Sequence, residues 1–410
     1  MRLGSAEVIR ADARALPIAD DSVDLICTSP PYLNLRSYQD SGLHYAGQIG
    51  SEASQVEFLD ALLEVTRECA RVLKPTGSLF VNLGDSYRDK GLQLTPERYR
   101  IRCADELGLI ARAVIVWSKP NGLPESVTDR VRRSHEDWVH FTLQPRYFSA
   151  VDEIREAHTG NAHSSGNGPS RQWISANGLA NNHRALDTDP SEYNPLGKLP
   201  GSVWQIPTEP LRVPDHLGVD HFAAFPTEWP KRIIAGWSPA GVCVACGEGR
   251  RPVVDKETIL TQKTHNRPKQ GDSLAKVASI GAPIPGRSEV TITGYACACL
   301  ERCAIFEELG AHDYMGRLDG RDGATCCNVD NLPPTRPALV LDPFGGTGTT
   351  ALVAKALGRH GISVDMSADY CRLAEWRTSD RDQLAKVLGV AKAEQQDADQ
   401  AAFDFEVVGA

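Results

Sequence analysis

The chain has no run of about 18 consecutive apolar residues, the length a membrane-spanning helix needs. Its first residues, Met1 to Pro17, hold no apolar stretch of signal-peptide length. No membrane contact is expected, and the chain reads as a soluble cytoplasmic protein. Positive charge is also in short supply: 44 Lys and Arg stand against 53 Asp and Glu, a net charge of −9. A nucleic-acid partner would therefore depend on local basic clusters and not on a global field. No internal repeat is present, which excludes a solenoid or propeller. No Gly-Lys-Ser/Thr closes any Gly-rich turn, which excludes a P-loop phosphate cradle.

What is present is a 410-residue chain, long enough for one large domain with an insertion or for two domains. Hydrophobic residues make up 41% and charged residues 24%, enough apolar matter for a sizeable core. The 11 cysteines divide into two groups. Cys27, Cys69, Cys103 and Cys371 sit in apolar surroundings and read as buried thiols. The other seven lie between Cys243 and Cys327, and such a cluster without an export signal suggests metal before disulfides.

Strand and helix patterns alternate in the first half. Strands are expected at Glu7–Arg10, Val23–Thr28, Ser78–Leu83, Ala111–Trp117 and Trp138–Leu143. A helix is expected over Gln55–Leu73, where Phe58, Leu59, Leu62, Leu63, Val65, Thr66, Cys69 and Val72 recur on one face and Lys74-Pro75-Thr76-Gly77 stops it. A second amphipathic helix is expected over Glu97–Leu107. From Val151 to about Asp220 the pattern gives way to Gly, Asn, Ser, His and Pro, the composition of a loop-rich segment. A helix resumes at Thr227–Gly236. After the cysteine region come a strand at Ala338–Leu341, a helix at Ala351–Gly358, a strand at Gly361–Val364 and one last helix over Ala368–Leu388. This alternation predicts an α/β fold with a mainly parallel sheet and its ligands at the carboxyl ends of the strands.

Asp342-Pro343-Phe344-Gly345-Gly346-Thr347-Gly348-Thr349-Thr350 places a Gly-rich turn between a strand and a helix. Asp365 ends the next strand about 20 residues on, where an acid can bind both hydroxyls of a ribose. A nucleoside site with no phosphate cradle points to S-adenosylmethionine. Thr28-Ser29-Pro30-Pro31-Tyr32 ends another strand, and its two prolines stiffen the turn. An exocyclic base amino group is a weak nucleophile because its lone pair is delocalised into the ring. Two acceptors on its N–H bonds would let the nitrogen pyramidalise toward a methyl donor. The Ser29 hydroxyl and the Pro30 carbonyl can supply them. Tyr32 can stack on a base taken out of the duplex. A C5-cytosine reaction would need a nucleophilic Cys after the proline, and Cys27 precedes the turn instead.

These motifs resemble the β-class amino-methyltransferases of prokaryotes and their phages, in which the catalytic motif precedes the cofactor motif. The resemblance covers about residues 5–240 and 337–385. It implies a Rossmann-like methyltransferase sheet in circularly permuted order, acting on double-stranded DNA in the cytoplasm of a prokaryote or phage-infected host. Ser29, Pro30, Pro31 and Tyr32 match the catalytic motif. Asp342, Phe344, Gly345, Gly346, Thr347, Gly348 and Thr349 match the cofactor loop, with Asp365 as the ribose acid. Asp12 is placed like the residue that contacts the cofactor's adenine. His221 and Phe225 fall in the segment that closes over its methionine end. Val81–Tyr87 looks like the strand-end motif that follows. Lys119, Asn121, Arg130, Arg132, Arg133 and His135 fall in segments that resemble the DNA-side loop. A serine before Pro-Pro-Tyr is associated in this family with cytosine N4, and Asp or Asn with adenine N6. Cytosine N4 is thus favoured, adenine N6 is the nearest alternative, and a DNA-binding protein that no longer catalyses is the rival of a different class. The resemblance also leaves room for a cognate restriction endonuclease as a separate protein.

The implied division is a catalytic half at 1–150, a target-recognition region at 151–220, a cofactor-closing segment at 221–240, a Cys-rich insertion at 241–336, a cofactor half at 337–390 and a fraying tail at 391–410. Arg171, Trp173 and Arg184 are the recognition residues that stand out. The insertion departs from most of the family. Cys243-Val244-Ala245-Cys246-Gly247 is a zinc-type knuckle, and Cys297-Ala298-Cys299 can return two more thiolates. Some relatives carry a similar module, so Cys243, Cys246, Cys297 and Cys299 read as one structural Zn²⁺ site. Cys303, Cys326 and Cys327 compete as ligands, and unliganded thiols in a loose insertion are the alternative.

Overall fold

A computed structural model describes residues 3–33, 39–40, 43–44, 47–122, 124–157, 196–219, 224–262, 283–297 and 334–390. His221, Cys299, Arg171, Trp173, Arg184 and the tail from 391 lie outside these residues. The chain divides into two compact units. One comprises Met1–Phe148, Ser202–Ala240 and Pro337–Ala410, and the other Ser149–Gly201 and Gly241–Arg336.

The first unit contains β1 (Ser5–Arg10), β2 (Val23–Thr28), α1 (Gln55–Val72), β3 (Leu73–Leu83), α2 (Thr95–Leu107), β4 (Ile110–Ser118), β5 (His135–Thr142) and β6 (Val203–Gln205). It continues with α3 (Glu228–Trp237), β7 (Leu339–Asp342), α4 (Thr349–Ala356), β8 (His360–Asp365), α5 (Ala368–Ser379) and α6 (Arg381–Leu388). The strands form one eight-stranded sheet in the order β1-β8-β7-β2-β3-β5-β4-β6. Every neighbouring pair is parallel except the two that β5 makes. The expected mainly parallel α/β sheet is therefore present.

The order matters for the site. β7 pairs with β2 in the register Val340↔Leu25 and Leu341↔Ile26, although more than 300 residues separate them. The turn after β2 and the Gly-rich loop after β7 therefore open on the same edge of the sheet, side by side. β8 lies on the other side of β7, with Asp342 opposite Ser363, and β1 pairs with β8 in turn.

Apolar periodicity explains α1. The eight residues read as one face are those the helix buries. Its start is held by a capping box: Ser54 accepts from the Glu57 amide while Glu57 accepts from the Ser54 amide. Three features differ from the sequence expectation. The last helix is two, because Asp380 leaves helical geometry (φ −69°, ψ 129°) and its side chain caps the Gln383 amide to start α6. β6 adds to the sheet edge from a stretch read as loop. In the second unit, Arg250–Gln262 and Pro283–Cys297 form a long antiparallel hairpin. The insertion holds few large apolar residues, but Val253, Val254, Thr258, Val290, Thr291 and Ile292 are β-branched, which suits strands.

Aromatic stacking fixes α3 on the sheet. Trp229 stacks on Trp138 at 5.0 Å and on Trp204 at 4.9 Å, and Phe225 meets Trp138 edge-on at 5.7 Å. Nearby His140 stacks on Phe80 at 4.2 Å, with Nε2 3.0 Å from the Ser78 hydroxyl. Burial, with a smaller push from Arg112, lowers its pKa to about 3. A depressed pKa contributes stability that is complete above the unfolded value of about 6.5 and is lost as pH falls toward about 3. His140→Phe should flatten the stability–pH curve in that window, by up to about 1.4 kcal/mol per pH unit. Denaturant unfolding at several pH values reads this directly. An unchanged slope would mean that His140 is already charged in the folded protein.

Candidate active site

A cleft opens at the carboxyl ends of β1, β2, β7 and β8. It encloses about 870 Å³ of space, counting the solvent at its mouth, a size suited to a nucleoside-containing small molecule. Ala11, Asp12 and Ala13 line it from the end of β1, Ser29 and Pro31 from the end of β2, and Asp365, Met366 and Tyr370 from the end of β8 and the start of α5. Pro343 to Thr347 and Thr349 form its Gly-rich wall, and Phe225 closes another side. Ser29, Asp12, Phe344, Gly345, Gly346, Thr347, Thr349, Asp365 and Phe225 thus meet at one cavity.

Local chemistry explains the loop. A Cβ on Gly345 would lie 1.9 Å from the Ser363 hydroxyl oxygen, so the loop can rest on β8 only with glycine there. The Gly345 amide donates to the Val364 carbonyl at 2.8 Å. Gly346 and Gly348 have positive φ, and Gly348 precedes the first turn of α4. Asp365 accepts from the Gly346 amide at 2.9 Å and from the Ser367 amide at 2.9 Å, which fixes its carboxylate at the rim. Asp12 is clamped by Arg14, whose guanidinium lies 2.7–3.1 Å from both carboxylate oxygens and holds its pKa below the usual range.

Asp342 behaves differently from its neighbours in the motif. It is buried and is absent from the cleft lining. One oxygen accepts from the Thr28 hydroxyl at 2.6 Å and the Phe344 amide at 3.1 Å, and the other from the Thr350 hydroxyl at 3.0 Å. Burial raises its pKa to about 6. Asp342 therefore ties the Gly-rich loop to the turn after β2.

The turn after β2, Ser29 to Tyr32, leans on the end of β3. Asn82 Oδ1 lies 3.3 Å from the Ser29 hydroxyl and 2.9 Å from the Tyr32 hydroxyl, and Asn82 Nδ2 donates to the Asp137 carbonyl. Tyr32 also lies 3.0 Å from Glu136 Oε2, and Glu136 is paired with Lys119. Burial and the Glu136 charge push the Tyr32 phenol well above its ordinary pKa, so it stays protonated. A smaller pocket beside Tyr32 is lined by Leu33, Gly84, Asp85, Ser86, Arg133 and Glu136, and Arg133 Nη1 is buried there without a hydrogen-bond partner.

The basic and polar residues expected on the DNA side have several fates. Lys119 sits over Trp117 at 4.2 Å besides pairing with Glu136, and Asn121 bonds the Thr208 backbone. Arg130 pairs with Glu125 and lies over Tyr87 at 3.7 Å. Arg132 donates to the Gly122 carbonyl and remains exposed, as does His135. Asn82 and Glu136 were not singled out as site residues in the sequence. Asn82 left a trace there as the one polar residue in the apolar run Leu79-Phe80-Val81-Asn82-Leu83.

A family model described as DNA methylase, of the N6/N4 type, matches residues 23–245 and 335–376. The chain belongs to this family of prokaryotic site-specific DNA amino-methyltransferases. The matched stretches of this DNA methylase include the turn Thr28 to Tyr32 and the Gly-rich loop. It is similar to the Type II methyltransferase M.SmaI of Serratia marcescens, 30% identical over 270 residues, 58% of this chain and 78% of that protein. It is 36% identical over 188 residues to M.Cfr9I of Citrobacter freundii, 38% of this chain and 60% of that one. With M.SfiI of Streptomyces fimbriatus it shares 34% identity over 158 residues, 34% of this chain and 36% of that one. The chain thus spans between about a third and three-fifths of the last two. Its fold is similar to that of a solved PvuII DNA methyltransferase (cytosine-N4-specific), with a TM-score of 0.51 and 16% identity over 95% of each chain.

In the second unit, the knuckle turns at Gly247 (φ +75°), whose amide donates to the Cys243 carbonyl at 2.9 Å. The Arg250 amide donates to the Gly241 carbonyl, and Cys297 pairs with Arg250 across the hairpin. The backbone thus returns Cys297 next to the strand that follows the knuckle. Among the described residues no three metal-ligating side chains cluster, Cys299 lying outside them.

Proposed function

We propose that this DNA methylase transfers the methyl group of S-adenosylmethionine to the N4 amino group of a cytosine taken out of double-stranded DNA. The observation that carries the reading is the Ser29 hydroxyl on the wall of the cofactor cleft, with Asn82 Oδ1 as the acceptor of its hydrogen. A hydroxyl whose hydrogen is engaged presents lone pairs, and an amino N–H needs an acceptor. The Pro30 carbonyl is the second acceptor. Asp365 would take the ribose hydroxyls, Asp12 lies toward the adenine, and Phe225 covers the methionine end, a role the family resemblance also gives to His221. Tyr32, held through Asn82 and Glu136, supplies a flat face for the base. Bound S-adenosylmethionine would supply the electrophilic methyl on its sulfonium, and transfer would be an in-line displacement governed by positioning. The catalytic half precedes the cofactor half, which is the permuted order. Exposed Arg132 and His135 are placed to meet phosphate. The enzyme would act in the cytoplasm, with a separate restriction endonuclease as its natural counterpart.

Serine rather than Asp or Asn at position 29 supports cytosine over adenine. Nucleoside analysis of DNA methylated by the purified protein tests the proposal, with N4-methylcytosine expected. N6-methyladenine alone would overturn the choice of base. No labelled methyl on DNA of varied sequence would instead favour a DNA-binding protein that no longer catalyses.

The second unit is proposed to hold one structural Zn²⁺ through Cys243, Cys246, Cys297 and Cys299. An all-thiolate set suits zinc, and a closed four-ligand site is structural. The hairpin returns the backbone of Cys297 opposite Arg250, on the strand that follows the knuckle, and this supports the reading. Metal binding would then contribute folding free energy to this unit. Elemental analysis should give one zinc per chain, and chelation should weaken DNA binding before it affects S-adenosylmethionine binding. A metal-free preparation, made without chelators and fully active, would leave the cysteines as plain thiols.

A further inference from the structure

The cofactor cleft is acidic on the inside. Among the described residues that line it, Asp12 and Asp365 carry charge and no Lys, Arg or His is present. A cationic sulfonium and ammonium suit such walls, but a carboxylate does not. Behind the Gly-rich wall lies Arg377 on α5, 3% exposed. Its Nη1 donates to the hydroxyls of Thr347 at 2.7 Å and Thr349 at 2.6 Å, and its Nε has no partner. No described carboxylate makes a direct ion pair with it, although the Glu209 charge acts on it through space.

The hydrogens of this cluster can be followed one by one. Both threonine oxygens accept from Arg377, so neither hydroxyl hydrogen points back at it. The two hydroxyls are 3.0 Å apart, so one hydrogen serves the bond between them. The other has no acceptor among the described residues, and both threonines line the cleft. One hydroxyl hydrogen is thus left unengaged among the described residues, on a pair whose residues line the cleft and with a buried cation one hydrogen bond behind it.

We propose that Arg377 is a positioning residue that makes the Thr347–Thr349 pair an anion-binding donor, so that the cleft selects a cofactor whose amino-acid end keeps its carboxylate. The proposal rests on the S-adenosylmethionine reading above and adds to it which group is selected and by what. It also gives a second counter-charge to a buried cation that Glu209 offsets only through space, without a direct ion pair.

Calorimetric binding of S-adenosylmethionine and of its decarboxylated analogue, which lacks only that carboxylate, provides the test. The wild-type chain should prefer the carboxylate-bearing compound by about tenfold or more, the worth of a charge-assisted hydrogen bond. Arg377→Met, with thermal unfolding as a check on folding, should shrink that preference several-fold while affinity for the analogue changes little. A Thr347→Val, Thr349→Val double variant should shrink it in the same way. A wild-type chain that binds both compounds equally overturns the proposal and leaves the cofactor reading standing. This comparison needs no variant and so survives any that fails to fold. Equal weakening of both compounds in a folded Arg377→Met also overturns it. Binding of neither by the folded wild type would overturn the cofactor reading and the proposal together.

Discussion

Ser29→Ala should lower methyl transfer on the order of 10²-fold or more while leaving S-adenosylmethionine binding nearly intact. In the proposed reaction the hydroxyl acts on the base and not on the sulfonium, and loss of one preorganised acceptor has that scale of effect on rate. The surroundings make the expectation sharper. Asn82 Oδ1 is within reach of both the Ser29 and Tyr32 hydroxyls, and the single Tyr32 hydrogen has Glu136 as its alternative acceptor. Removing the Ser29 hydroxyl therefore leaves Asn82 with Tyr32, and the turn, stiffened by Pro30 and Pro31, has no reason to move. Single-turnover transfer with labelled cofactor, alongside calorimetric binding, separates the two effects. Near-normal turnover would show that Ser29 is only a turn residue.

Asp365→Ala should weaken S-adenosylmethionine binding by about 1.5–3 kcal/mol, the range for hydrogen bonds to a charged group. That is roughly 10- to 150-fold in Kd. DNA affinity measured without cofactor should hardly change. Asp365 also accepts from the Gly346 and Ser367 amides, so part of any loss could come from a loosened loop. Asp365→Asn keeps one carbonyl acceptor and the side-chain shape, and should lose less. Unchanged cofactor affinity in the alanine variant would refute the ribose assignment.

The sheet was readable because its strands are short apolar runs closed by turns. Val23–Thr28 is buried from end to end, and the face of α1 is set by spacing alone. Ser29, Gly345 and Asp365 were readable as a site because each stands at a strand end, where a parallel sheet gathers its ligands. The partners behind them were harder to see. Asn82 and Glu136 become site residues only through antiparallel pairing of β3 with β5, which no local signal specifies. Arg377 looks like an ordinary helical arginine until α5 packs against the Gly-rich loop. Asp342, a motif residue, bonds Thr28 and Thr350 across two turns, a link that its place in the motif does not reveal. The long hairpin escaped notice because its strands rely on β-branched residues and backbone pairing more than on apolar bulk.

The pairing of β1 with β8, and of β7 with β2, has a consequence for how the chain is made. Residues 5 and 360 are partners, and β2 waits for a neighbour that is translated more than 300 residues later. At about 5–20 residues per second, that interval lasts roughly 15–60 s. Throughout it the catalytic turn exists on a sheet with one unpaired, strongly apolar edge, the kind of surface that invites wrong pairing. The Gly-rich wall of the proposed cofactor cleft cannot form until β7 and β8 emerge. A ribosome that stalls anywhere earlier releases a fragment that carries Ser29 and Tyr32 but has nowhere to seat a methyl donor. Partial products should therefore leave DNA unmarked, and aggregation of the nascent chain should set the yield of functional protein.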